Sequence, residues 1–154
     1  MLPSLQSINP LNIPLQDKQQ MFKEFFILFV ILFGIDFFFI KYFLGPIFAD
    51  NIKNIQGSPM TVRYLPAAWA WLATVSTLYF FIILDNKSPA QAALLGFLVY
   101  SVFDGTNAAI LKKYSFKAFT IDILWGTTLF FTTTLIFNYI KPFIQPYLII
   151  IHIL

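Results

Sequence analysis

Three aspartates lie inside long apolar stretches of this sequence, where an ionisable side chain is costly. Asp36 is part of FGIDFFFI, and Asp104 and Asp122 lie on either side of the basic turn KKYSFK. An acid in an apolar segment usually faces protein or water and marks a functional site. Carboxyl groups in such places take up protons, act as general acids and bases, or hold cations through oxygen.

The composition is that of a membrane protein. Hydrophobic residues make up 58% of the 154 residues and charged residues only 11%, whereas soluble domains are about 25% charged. The apolar residues are collected into runs of about 20, the length at which a helix crosses a bilayer. The net charge of +3 is small and dispersed, so nucleic-acid binding is not expected, and the absence of cysteine excludes disulfides and thiol catalysis.

Four such runs predict an all-α, antiparallel four-helix membrane bundle with both termini on one side. The predicted membrane domain is 21–141, and its spans are 21–44, 61–84, 90–111 and 116–140. Residues 1–20 are predicted to form an extended or flexible arm, and residues 142–154 an apolar tail at the interface. Gly45-Pro46 is expected to end the first helix, since proline interrupts helices, which makes 45–60 a loop.

The antiparallel arrangement places the three aspartates in the same half of the membrane. At 1.5 Å per residue, Asp36 and Asp104 lie about 12 Å from one membrane surface, and Asp122 about 9 Å from it. Arg63 opens the second span on that side, and Tyr100, Asp104 and Asn107 share a helix face. We therefore expect a polar pocket formed by Asp36, Arg63, Tyr100, Asp104, Thr106, Asn107, Asp122 and Trp125.

Three carboxylates in one pocket cannot all remain ionised without compensation. We expect either that at least one aspartate is protonated at neutral pH or that a hard cation binds Asp36, Asp104 and Asp122, because the ligands are all oxygen. No other cofactor is expected. Small residues at Gly96, Gly105, Ala109 and Gly126 predict close helix packing and a central position for the third span.

The sequence around these aspartates resembles a known family. VYSVFDGTNAAILKKYS, IDILWGT and FGIDFFFI are similar to patterns of the DUF2177 family, small predicted membrane proteins with four spans. The resemblance covers about residues 22–140, and Phe103 and Gly105 depart from the residues that the family often has. It implies the four-span fold and a site at the matching positions, but no activity. Those positions are Asp36, Tyr100, Asp104, Thr106, Asn107, Ala109, Leu111, Lys112, Asp122, Trp125, Gly126 and Thr127.

The sequence leaves three functions open. The first is a multi-pass membrane protein that handles protons or small cations at its aspartates. Its four short helices form a thin pore, so transport would require a homo-oligomer. The second is a structural or assembly subunit, whose arm (1–20) and tail (143–154) contact other membrane subunits, other proteins or the membrane. The third is a membrane-embedded enzyme or binding protein acting on a lipid, with a carboxylate pair as acid and base and Arg63 holding a phosphate.

The lipid bilayer is the expected partner in all three functions, and the lack of a histidine cluster and of cysteine favours a protein that is not an enzyme. Basic residues slightly favour a cytoplasmic position for loops 45–60 and 112–117.

Overall fold

The computed structural model describes the backbone of residues 15–150 and the side chains of residues 18–144. Five α-helices account for most of this part of the chain. They are α1 (Leu15–Phe39), α2 (Gly45–Gln56), α3 (Tyr64–Leu78), α4 (Pro89–Ile110) and α5 (Phe116–Ile150). Short π-helical turns, Ile40–Leu44 and Tyr79–Ile83, follow α1 and α3.

Four helical stretches are long and apolar enough to cross a membrane, as predicted. They are Lys18–Gln56, Tyr64–Ile83, Pro89–Ile110 and Phe116–Ile144. The first contains 39 residues, about 58 Å of helix, whereas a bilayer core is about 30 Å thick. Part of this stretch must therefore tilt or extend past the hydrocarbon, and α2 carries the polar residues suited to that position.

The prediction that Gly45-Pro46 ends the first helix is wrong. A π-helical turn precedes this pair, and the Gly45 N–H donates to the Ile40 carbonyl. A Cβ at Gly45 would lie 2.6 Å from that carbonyl oxygen, so the turn requires glycine. Pro46 falls in the first turn of α2, where its missing donor costs little. The helix ends instead at Gln56, and Gly57, which follows it, has the left-handed φ of 76°.

Both predicted ends of the membrane domain also differ from the structure. Residues 15–20 are helical rather than extended and form the start of α1, while the rest of the predicted arm lies outside the described residues. The last helix continues past Lys141-Pro142 to Ile150. Membrane helices tolerate proline because neighbouring groups satisfy the freed backbone carbonyl.

The last long helix, α5, occupies the centre of the bundle. It packs extensively against α4 and also contacts α1 and α2, whereas α3 packs mainly on α1. The central position predicted for the third span thus belongs to the fourth. Glycines permit the close α4–α5 contact: a Cβ at Gly96 would lie 2.5 Å from the Gly126 carbonyl oxygen, and one at Gly126 would overlap the Tyr100 ring.

The other two predicted packing residues do not take part in this contact. Nothing lies within 4 Å of a Cβ built on Gly105, and Ala109 is exposed.

The bundle has two halves of different composition. The apolar half is a continuous core in which large side chains from α1, α3, α4 and α5 meet. Its buried members are Leu28, Leu32, Val75, Leu78, Tyr79, Ile82, Ile83, Ala92, Leu129, Phe130 and Phe137. The polar half lies toward the α4–α5 loop and contains Asp36, Trp71, Asp104, Asp122 and Trp125.

Candidate functional site

Asp36 joins three helices through two tryptophan side chains. Its carboxylate lies on α1 and is 5% exposed. The Trp71 Nε1 on α3 donates to Asp36 Oδ2 at 2.7 Å, and the Trp125 Nε1 on α5 donates to Asp36 Oδ1 at 2.8 Å. An indole N–H only donates, so both oxygens of Asp36 act as acceptors. These hydrogen bonds fix α1 against α3 and α5.

Aromatic packing on α1 holds both indoles in place. Trp125 stacks on Phe39 with ring centroids 3.6 Å apart, and Trp71 meets Phe33 edge to face with centroids 4.7 Å apart. Phe33 and Phe39 lie about one helical turn to either side of Asp36 on the same helix. The first span therefore supplies both the carboxylate and the surfaces that orient its hydrogen-bond donors.

Asp104 and Asp122 form a buried pair of carboxyl groups. Asp104 on α4 is fully buried, and Asp122 on α5 is 6% exposed. Their side chains lie close enough to interact. An ionised carboxylate has no hydrogen to donate, so a hydrogen bond between the two groups requires a proton on one of them.

Tyr114 completes this pair from the loop between α4 and α5. Its hydroxyl donates to Asp104 Oδ1 at 2.6 Å. Asp104 Oδ2 meets no N–H or hydroxyl donor in the described part of the chain, which leaves it free for Asp122. Burial, and then the hydrogen bond to Asp104, raise the pKa of Tyr114. The tyrosine therefore keeps its hydrogen at physiological pH and acts as a fixed donor.

The loop that carries Tyr114 is held by α2. Asn51 is buried, and its Oδ1 accepts the backbone N–H of Ser115 at 2.8 Å. The Ser115 hydroxyl in turn accepts the N–H of Ala118 at 3.3 Å, as expected of a residue that caps the first turn of a helix. The unexpected continuation of the first helix into α2 thus positions Tyr114 beside the carboxyl pair.

Five of the eight predicted pocket residues lie together: Asp36, Tyr100, Asp104, Asp122 and Trp125. Tyr100 lines the same cleft as Asp36 and Asp122, and its ring packs edge to face on Phe130 with centroids 6.3 Å apart. The structure therefore brings acids from α1, α4 and α5 into one half of the bundle, as the spacing from the membrane surface predicts.

The other three predicted residues lie outside this group. Arg63 is exposed before α3, and neither ion pair within residues 18–144 includes it; those pairs are Lys87–Asp85 and Lys141–Glu24. Thr106 is exposed, and Asn107 is half-buried without a side-chain hydrogen bond to any described residue. Arg63 precedes the first residue of α3, and Thr106 and Asn107 lie near the end of α4, beyond Asp104.

The predicted hard-cation site at Asp36, Asp104 and Asp122 is not formed in the described chain. No group of three or more acidic, histidine or cysteine side chains there is arranged to hold a metal ion. Each Asp36 oxygen instead accepts one tryptophan N–H, from Trp71 or from Trp125.

Sequence reasoning missed Trp71, Tyr114 and Asn51 as members of the site. Trp71 lies two residues after Trp69, which is 72% exposed, and on a helix the two point about 200° apart. Only the packing of α3 on α1 shows which of them faces Asp36. Tyr114 carries a usable signal, because a tyrosine in a short turn after Asp104 can reach back to the preceding helix end.

The fold and the site define an integral membrane protein: a bundle of four membrane-spanning helices that buries a carboxyl cluster in one half. The chain belongs to the DUF2177 family, described as a predicted membrane protein, whose family model matches residues 21–138. The resemblance seen in the sequence is thereby confirmed. A search of curated proteins found no match, and a search of solved structures found none.

Proposed function

We propose that this membrane protein binds and releases a proton at the Asp104–Asp122 carboxyl pair. One observation carries the proposal: two carboxyl groups from adjacent helices are buried together, and none of the ion pairs among residues 18–144 supplies either with a cation. A buried charge without a partner is costly, and a second like charge beside it adds to the cost. One shared proton removes half of that charge.

The neighbours of the pair support a proton rather than a metal ion. Tyr114 supplies a single hydrogen to Asp104 and offers no strong ligand for a cation. Asp36 lies near enough to add negative potential at Asp122. The negative potential of Asp36 therefore favours a total charge of −1 or 0 on the Asp104–Asp122 pair. A single exchangeable proton on the pair gives it a charge of −1.

The two members of the pair differ in their access to solvent and lipid. Asp122 lines a cleft on the side of the bundle, whereas Asp104 is fully buried and accepts a hydrogen bond from the loop residue Tyr114. A proton can thus enter at Asp122, move to Asp104 and be held there beside Tyr114. The buried acidic and basic side chains among residues 18–144 are Asp36, Asp104 and Asp122, all in the polar half, which favours a proton-binding site over a continuous channel.

Infrared spectroscopy of the protein in lipid nanodiscs tests this proposal. We expect the C=O stretching band of a protonated carboxylic acid at neutral pH, and we expect the double variant Asp104→Asn/Asp122→Asn to abolish it. Either substitution alone should shift the band, because the remaining carboxyl group is still buried but has lost its carboxyl neighbour. Tyr114→Phe should shift the band without removing it, because the hydrogen bond to Asp104 is lost while the shared proton stays.

Asp50→Asn is the matched control, since Asp50 is exposed on α2 and the chemical change is the same. It should leave the band unaltered. Absence of the band from the unmodified protein at neutral pH would overturn the proposal, and so would its persistence in the double variant Asp104→Asn/Asp122→Asn.

A further inference from the structure

A cleft of about 350 Å³ opens on the side of the polar half. One wall is formed by α1, the π-helical turn that follows it and α2, and the other wall is formed by α3. Tyr100 and Asp122 line the inner part of the cleft. Phe103 and Met60, which are 56% and 37% exposed, lie at its edge. The cleft therefore connects the carboxyl groups with the surface that faces the bilayer.

Small side chains on α3 keep this cleft open. Ala67, Ala70 and Thr74 line it at successive turns of one helix face. The opposite wall is apolar and larger, with Ile40, Leu44 and Phe48 among its members. A narrow apolar channel of this shape accommodates a hydrocarbon chain, because lipid tails and these side chains have similar polarity.

The inner end of the cleft has the opposite character. Asp122 is more than nine-tenths buried and lines the cleft, and its one hydrogen-bonding neighbour among the described residues is Asp104. The Tyr100 hydroxyl forms no hydrogen bond to a described residue. These oxygens offer acceptors and one free hydroxyl, and no lysine, arginine or histidine lines the cleft.

We propose that this cleft binds a single-chain amphiphile whose head group is a hydroxyl or an amine. Ligand sites typically measure about 300–1,000 Å³ and combine apolar walls with a few polar groups, so a volume near the lower bound suits one chain rather than two. An anionic head group is excluded by the carboxyl groups, which repel it without any cation to compensate.

This inference stands independently of proton binding. The apolar walls, the Tyr100 hydroxyl and the charge of Asp36 are the same whether or not the carboxyl pair carries a proton. Loss of the infrared band would therefore leave the cleft and its ligand class intact, and an empty cleft would leave the carboxyl pair intact.

Photocrosslinking in phosphatidylcholine nanodiscs tests the occupant. The probe is a long-chain alcohol with a diazirine on its chain, and crosslinked positions are mapped by mass spectrometry. We expect saturable labelling of Phe103 and Met60, with at least ten-fold stronger competition by dodecanol or dodecylamine than by dodecanoate. Labelling of outward-facing residues such as Val102, which is 70% exposed, should not saturate.

Two alanine-to-phenylalanine substitutions on α3 serve as a test variant and its control. Ala70→Phe fills the cleft and should abolish the saturable labelling. Ala68→Phe places the same side chain on the other side of the helix, away from the cleft, and should preserve the labelling. Equal competition by dodecanoate overturns the assignment of the head group. Unsaturable labelling spread over the lipid-facing surface, or labelling that survives Ala70→Phe, overturns the site itself.

Discussion

The two halves of the bundle use the same four spans but are held together differently. In the apolar half, large side chains such as Phe130 and Phe137 fill the space between helices almost completely. In the polar half, hydrogen bonds from Trp71 and Trp125 to Asp36 join the helices, and small residues on α3 leave a cleft. Dense packing thus stabilises the apolar half. In the polar half, hydrogen bonds join the helices without filling the space between them, so the cleft remains open.

The comparison has a physical basis in the membrane environment. Lipid tails are as apolar as leucine, so the association of helices depends on packing and on interhelical hydrogen bonds rather than on a hydrophobic driving force. A half that contains buried acids cannot be packed with hydrocarbon alone, because each carboxyl oxygen needs a donor. Tryptophan and tyrosine meet this need, since each combines a large apolar ring with one hydrogen-bond donor.

The largest effect is expected in the apolar half. Phe137→Ala should lower the free energy of unfolding by about 3 kcal/mol, because a buried aromatic ring leaves a cavity when it is truncated. Phe137 is 1% exposed, whereas Phe143 is 61% exposed on the same helix, so Phe143→Ala serves as the control. Unfolding in mixed micelles by a denaturing detergent measures both.

The same variant also tests whether the halves are independent. Under conditions where Phe137→Ala remains folded, its protonated-carboxyl band should match that of the unmodified protein. A changed band would show that packing in the apolar half governs the carboxyl pair, and the contrast between the halves would then fail.

A smaller effect is expected from the tryptophan contacts of the polar half. Trp71→Phe keeps an aromatic ring against Phe33 but removes the donor to Asp36 Oδ2. An oxygen left buried without its donor costs about 1–3 kcal/mol. Trp69→Phe removes an exposed indole and should change the stability by less than about 0.5 kcal/mol. Equal stabilities of the two variants in the same unfolding assay would contradict the role of Asp36 as a tie between helices.

The smallest effect is expected at Arg63. Its side chain is exposed, and it belongs to neither ion pair of the described residues. Arg63→Gln should therefore alter the free energy of unfolding by less than about 0.5 kcal/mol and leave the carboxyl band unchanged. A stronger band in this variant would show that the guanidinium compensates one of the aspartates, because removal of a nearby cation favours the protonated carboxyl group.

Much of the fold could be predicted from the sequence, but its boundaries could not. The four spans follow from run length and apolarity, and the depth of Asp36, Asp104 and Asp122 follows from helical rise. Gly45-Pro46 misled the prediction because a π-helical turn lets the chain pass a proline without ending the helix. In a π-helical turn the backbone hydrogen bond joins residues five apart rather than four apart as in an α-helix. The amino-acid composition does not predict where this change occurs.

The candidate site was predicted in outline and completed only by packing. Depth along the membrane selected the three acids, and shared helix faces selected Tyr100 and Trp125. Depth also wrongly suggested that Arg63 belongs with them, because a residue at the right height can still point away from the bundle. Trp71 and Tyr114 were not predicted, because the sequence does not show that their side chains point toward an aspartate. The folded chain shows that each donates a hydrogen bond to one.

The sequence by itself determined that this is a four-span membrane protein of the DUF2177 family with three acids in its apolar runs. Those properties depend on local quantities: the length of an apolar run, the rise of a helix and the cost of an ionisable group in hydrocarbon. The tertiary structure alone decided that α5 is central, that Asp36 is bound by two indoles and that Asp104 and Asp122 form a pair. Helix order and rotation decide these contacts, and both result from side chains that meet across the bundle.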